Sequence, residues 1–194
     1  PTQVGAYSAI AAEGLTPFEQ ALVVQAFAPG QRVLDVGCGG GREAIPMTQA
    51  GLRIVAMDLI PAMVRAAASY AASREMAIAA VVGSASRLPF RDAIFDGVAM
   101  LGQVIAFVPG QDARIAVLRA AWRALRPGGM LIMTTHNRRC HWKFALYFAC
   151  VNRWRRLWQP FGRGLGLGDY DRWSSRISTV KSPRPVFFHM YDME

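Results

Sequence analysis

VLDVGCGGGREA, residues 33–44, is the stretch that decides the fold. RVLDVG is a short apolar run stopped by glycine, the pattern of a buried strand. GREAIPMTQAG follows as a helix closed by Gly51. In doubly wound sheets, ligands bind at the carboxyl ends of the strands, at such a strand–turn–helix junction. Gly37, Gly39 and Gly41 remove side chains where backbone must approach a ligand. Asp58 ends the next strand, RIVAMD, 21 residues beyond Gly37. A carboxylate there can accept two hydrogen bonds from a ribose diol.

The same rhythm extends on both sides of this segment. Upstream, residues 5–28 read as helical, with Thr16 as cap, Pro17 at the first helical position, Glu19 at the third, and Pro29-Gly30 as the stop. Downstream, PAMVRAAASYAASRE is a helix, AIAAVVG a third strand and FDGVAML a fourth. DARIAVLRAAWRALRPGG is a helix with an apolar stripe at Ile115, Leu118, Trp122 and Leu125. GMLIMTTH is a fifth strand. Alternating strands and helices at short spacing predict parallel strands joined by crossover helices on both faces. The fold class is therefore α/β: a doubly wound, mostly parallel sheet in an α/β/α sandwich. Four segments follow: an N-terminal helical cap (1–30), a cofactor-binding core (31–136), a basic aromatic insertion (137–185) and the start of a C-terminal element (186–194).

Composition agrees. The chain has 194 residues, 53% apolar and 18% charged, which excludes a disordered or coiled-coil protein. Its longest uncharged run, residues 97–111, is shorter than the ~20 apolar residues needed to span a bilayer. Cys38, Cys140 and Cys150 form no disulfide framework, which points to a cytoplasmic protein. His136, Cys140 and His141 lie close in sequence, but no fourth ligand has metal-site spacing, so no metal is expected. The net charge of +9 is uneven. Residues 1–136 carry 11 basic and 9 acidic groups, and residues 137–194 carry 11 and 4.

Two cofactor patterns compete at the glycine turn. The dinucleotide pattern G-x-G-x-x-G, begun at Gly37, needs a small residue at position 42 and meets Arg42. Begun at Gly39 it finds Ala44, but then its first glycine comes late in the turn. The pattern D-x-G-x-G-x-G is met in full by Asp35, Gly37, Gly39 and Gly41. This resembles motif I of the class I S-adenosylmethionine-dependent methyltransferases. Residues 54–67 resemble the family's second motif, 83–100 its third and fourth elements, and LRPGGMLIM (125–133) its approach to the fifth strand.

The resemblance implies a Rossmann-like methyltransferase fold, with S-adenosylmethionine as cofactor and S-adenosylhomocysteine as product. It implies that Gly37, Cys38 and Gly39 line the methionine moiety and that Asp35 orients its amino group. Asp58 holds the ribose hydroxyls and Leu59 packs on the adenine. Ser84 and Ala85 address the adenine edge, and Leu101, Gly102 and Gln103 border the sulfonium. An N-terminal tyrosine, here Tyr7, closes over the cofactor in some relatives. The family usually has an acid where Ser84 stands. The neutral hydroxyl gives up about 1 kcal/mol of adenine binding.

The acceptor is less legible. Neither an N-P-P-Y motif nor a Pro-Cys nucleophile follows the fourth strand, where MLGQV stands. That argues against adenine or glutamine N-methylation and against cytosine C5 chemistry. His136, after the fifth strand, is the candidate general base; the plain alternative is a histidine bonded to turn backbone. His141, His189, Tyr170 and Tyr191 are weaker candidates. Between Asn137 and Gly168 stand seven Lys or Arg, no Asp or Glu, and interleaved aromatics. Trp142, Leu146, Cys150 and Trp154 have near-helical spacing there. Three readings are open: a lid over an apolar small molecule, an RNA surface on a tRNA or rRNA methyltransferase, or an interfacial helix on an anionic membrane or partner protein. A cofactor-binding module without turnover is a further alternative. The family's sheet has seven strands, the last pair antiparallel, and only five plus a short run are visible here. The chain is thus expected to stop before the final strands, leaving a sheet edge open to oligomer formation.

Overall fold

The computed structural model describes residues 10–137, 142–158, 171–177 and 180–191. Helix α1 (Pro17–Ala26) starts at a complete capping box: the Thr16 hydroxyl accepts the Glu19 N–H, and the Glu19 carboxylate accepts the Thr16 N–H. The longer helix expected over 5–28 is broken before Thr16, where Gly14 sits at φ +67°. Strand β1 (Arg32–Val36), helix α2 (Ala44–Gln49), strand β2 (Arg53–Asp58), helix α3 (Pro61–Ser73) and strand β3 (Ala79–Val82) follow. Next come strand β4 (Phe95–Met100), a 3-10 turn (Val104–Phe107), helix α4 (Gln111–Ala124) and strand β5 (Leu125–Met133).

The five strands form one parallel sheet in the order β3-β2-β1-β4-β5. The order reverses at β1, so its carboxyl end, where the glycine turn begins, is the switch point of the sheet. Alternation along the strands sorts two apolar layers. Val33, Ile54, Ala56 and Ala99 face α1, α2 and α3 through Val23, Phe27, Met47 and Ala67. Leu34, Val55, Met57, Val98 and Met100 face α4 through Val117, Ala120, Ala121 and Ala124. This is the expected sandwich.

Three local expectations need correction. The face that α4 buries is Val117, Ala120, Ala121 and Ala124, not the stripe read at 115, 118 and 122; Trp122 is 81% exposed. Small residues face inward because the helix lies close on the sheet. The helix also stops at Ala124 instead of running through LRPGG, since Pro127 disfavours helical backbone at Arg126 and Leu125 already pairs with Phe95. Strand β3, whose uniformly apolar run AIAAVVG is the pattern of a buried parallel strand, is a half-exposed edge.

Beyond the core lie helix α5 (Trp142–Trp158) and an antiparallel pair, β6 (Asp171–Ile177) and β7 (Val180–His189). The pair forms its own two-stranded sheet; the sequence showed only the short run FFH (187–189), read as a strand, which is the end of β7. Strand β7 crosses residues 185 and 186, so the segment boundary expected there falls inside one strand. The chain returns to the core beyond β7: the Tyr191 N–H donates to the His136 carbonyl at 2.8 Å. Tyr7, Cys140, His141 and Tyr170 lie outside the described residues.

Candidate functional site

A cleft of about 800 Å³ opens at the carboxyl ends of the strands. It is lined by Gly37, Gly39, Asp58, Leu59, Ser84 and Ala85. Val104, Phe107, Pro109, Val117, His136 and Met190 line the same space. Cys38, Leu101, Gly102 and Gln103 also line it. The expected cofactor residues and the expected base therefore meet in one space. Asp35 and Gly41 are not on its wall.

The glycine turn divides its work. Gly37 sits at φ +77°, and a Cβ there would come within 2.6 Å of a Val104 methyl. Its N–H and that of Cys38 donate to the Met57 carbonyl, at 2.7 and 3.0 Å. The Gly39 N–H donates to Asp58 Oδ2 at 3.0 Å, and the Ile60 N–H to Oδ1 at 2.8 Å. The loop backbone thus orients the Asp58 carboxylate, and each oxygen keeps acceptor capacity toward the cleft. Gly41 permits packing instead: a Cβ there would lie 3.3 Å from the Ala67 backbone of α3. Leu59 is 68% exposed, an apolar shelf at the mouth. Ser84 Oγ lies 3.0 Å from Ser86 Oγ.

Asp35 is fully buried behind the turn, and its Oδ2 has no hydrogen-bond partner. Burial, then the Glu43 charge, pushes its carboxyl well above the usual range. The side-chain-free cradle at Gly37 and the acceptor pair on Asp58, both on the cleft wall, fit S-adenosylmethionine; Asp35, expected to orient the amino group, lies off that wall. Burial and the surrounding carboxylates push the Cys38 thiol far up, so it is no nucleophile.

The sequence reading missed a charged clamp on the cleft wall. Arg42 Nη1 and Nη2 donate to the two oxygens of Glu19, each at 2.8 Å. Arg42 Nη2 also meets Glu43 Oε1 at 2.5 Å, and Nη1 the Gly14 carbonyl at 2.9 Å. Burial would raise the Glu19 pKa, but Arg42 and the Thr16 N–H outweigh it and hold it at about 2. Burial raises Glu43 despite Arg42. Arg42 had been read only as an obstacle to a dinucleotide, and Glu19 only as part of a cap. Gly102 and Gln103 line the cleft as expected, but their backbone conformation was not read from the sequence. Gly102 and Gln103 are consecutive left-handed residues, φ +61° and +64°. The Gln103 N–H donates to Thr134 Oγ1 at 3.1 Å. A left-handed glutamine costs of order 1–3 kcal/mol and is found where function requires it.

Fold and cleft together define a Rossmann-like domain that holds a nucleoside-bearing cofactor at its strand ends. Residues 33–129 match the family model described as a methyltransferase domain, and the chain belongs to this S-adenosylmethionine-dependent family. Over 111 residues it is 35% identical to a ubiquinone biosynthesis O-methyltransferase of Xanthomonas campestris pv. campestris. That match spans 57% of this chain and 45% of the relative, so it covers about half of the relative's length. The PH0226 protein of Pyrococcus horikoshii is 30% identical, with a TM-score of 0.56 over 62% of this chain and 56% of that one. A S-adenosylmethionine-dependent methyltransferase of Methanosarcina mazei shares the fold at 21% identity and a TM-score of 0.69, covering 92% and 79%.

Proposed function

We propose that the chain methylates an apolar small molecule at a hydroxyl oxygen, with His136 as general base. The carrying observation is the mixed lining of one cleft: the glycine turn and Asp58, which fit the cofactor, share it with the apolar Phe107, Pro109, Val117 and Met190 and with His136. The similarity to an O-methyltransferase supports oxygen as the acceptor atom.

When bound, S-adenosylmethionine supplies an electrophilic methyl group and its leaving group. The protein's residues do the remainder. Asp58 and the glycine turn would hold the nucleoside end. The apolar walls exclude water and align the acceptor for in-line attack. His136 takes the hydroxyl proton as the oxygen attacks.

Calorimetric titration tests the cofactor assignment. S-adenosylmethionine and S-adenosylhomocysteine should bind and NAD should not. Asp58→Ala should weaken both by about 10- to 150-fold, the cost of a charged hydrogen bond. Absence of binding, or full affinity in Asp58→Ala, would overturn it. For the acceptor, turnover of apolar phenols should lose the acid-side limb of its pH profile in His136→Gln, with KM for cofactor unchanged. A pH profile identical to the parent's would remove His136 from the mechanism.

A further inference from the structure

We propose that the outer face of α5 docks on an anionic lipid bilayer surface. At about 100° per residue, Trp142, Leu146, Leu157, Cys150, Trp154 and Tyr147 fall within one arc of about 140°. This arc faces out: Trp142, Leu146 and Leu157 are 66, 56 and 64% exposed. Trp154, Tyr147 and Cys150 are exposed as well. The opposite side carries Phe148 and Asn152, both buried. A helix that merely covers a core keeps its large apolar residues within. Large apolar side chains exposed together on one helix face mark a binding surface.

Charge selects the occupant. Lys143 and Arg153 lie inside the same arc and are themselves exposed. Their aliphatic stems can lie along an apolar layer while their charges reach a phosphate plane. Between Asn137 and Gly168 seven Lys or Arg stand with no Asp or Glu. An anionic bilayer satisfies both features, with Leu and Trp at the acyl boundary and the cations among the headgroups. RNA would use the arginines but leave Leu146 and Leu157 in water, and residues 1–136 add only two net positive charges. Among the described residues no helix is long and apolar enough to cross a membrane, so α5 would lie in the interface plane.

The test is co-sedimentation of the full 194-residue chain with vesicles. One set is phosphatidylcholine alone; the other contains equal parts of phosphatidylcholine and phosphatidylglycerol. Binding should be at least tenfold stronger to the anionic set and should weaken with salt. The double variant Leu146→Gln/Leu157→Gln should lose at least tenfold in partitioning. Both positions are exposed, so the melting temperature and cofactor affinity should stay those of the parent. Lys143→Glu/Arg153→Glu should abolish the preference for anionic vesicles. As a folding-neutral readout, quenching by brominated phospholipid should fall in Trp142→Phe/Trp154→Phe. No sedimentation with anionic vesicles, or unchanged partitioning in both double variants, would overturn the proposal. Salt-sensitive binding to single-stranded RNA without vesicle binding would overturn it in favour of RNA. None of these outcomes bears on methyl transfer, so the two readings fail separately.

Discussion

Glu19→Gln removes one charge from the clamp that joins α1 to the glycine turn, and its effect should depend on pH. The Glu19 carboxyl titrates near 2 in the folded protein against 4.5 for a free one. At about 1.4 kcal/mol per unit, the ionised form stabilises the fold by about 3 kcal/mol at pH 7. Because the folded pKa is the lower of the two, this stabilisation is complete above pH 4.5 and is lost as pH falls toward 2. About half of it remains at pH 3. Glutamine has no charge to lose. The variant should therefore be less stable than the parent by about 3 kcal/mol at pH 7, and by about half as much at pH 3. Glu43, relieved of its neighbour's charge, pairs more strongly with Arg42 and trims the difference. Urea unfolding at both pH values measures it. Equal stability at pH 7, or a difference that does not shrink in acid, would refute the clamp as the source of the depressed pKa.

Gly37→Ala should cost about 2–4 kcal/mol and abolish cofactor binding by calorimetry, since the left-handed backbone is strained by any Cβ and that Cβ meets Val104. Trp122→Ser should change stability by less than about 0.5 kcal/mol, whereas Ala121→Leu should cost about 1–3 kcal/mol in denaturant. The opposite ranking would mean that α4 buries the stripe read from the sequence. Under native conditions iodoacetamide should label Cys150 and spare Cys38, by peptide mass mapping, because Cys38 is buried and its thiol is held protonated.

The core was legible because its signals are local. A strand that ends in glycine announces itself within six residues, and Asp58 follows from the length of one βαβ unit. The other expected cofactor residues came from the resemblance to the methyltransferase motifs and not from periodicity. What escaped was set by distance in the fold. The orientation of α4 depends on how closely it approaches the sheet; that contact favours Ala120, Ala121 and Ala124 over larger residues with a better apolar pattern. The clamp joins residues 23 positions apart whose roles in sequence were a cap and a loop. The β6–β7 pair has its register fixed across strands by backbone bonds, which apolar alternation in either strand did not display.

Arg42 shows how one substitution in a glycine loop can redirect a fold's use. In a dinucleotide fingerprint the position after Gly41 is small so that the helix can approach the sheet and leave room for a pyrophosphate. Here Gly41 provides a different close approach, against Ala67 of helix α3, and Arg42 turns along the cleft wall. Its guanidinium needs anionic partners once it leaves water. Glu43 supplies one from the start of α2 and Glu19 a second from the first turn of α1. The helix that precedes the sheet in sequence is thereby fastened to the glycine turn. Gly102 donates weakly to the same Glu19 carboxylate, at 3.4 Å, so the strained floor beside Gln103 joins the network. Three sides of the cleft therefore share one set of charges.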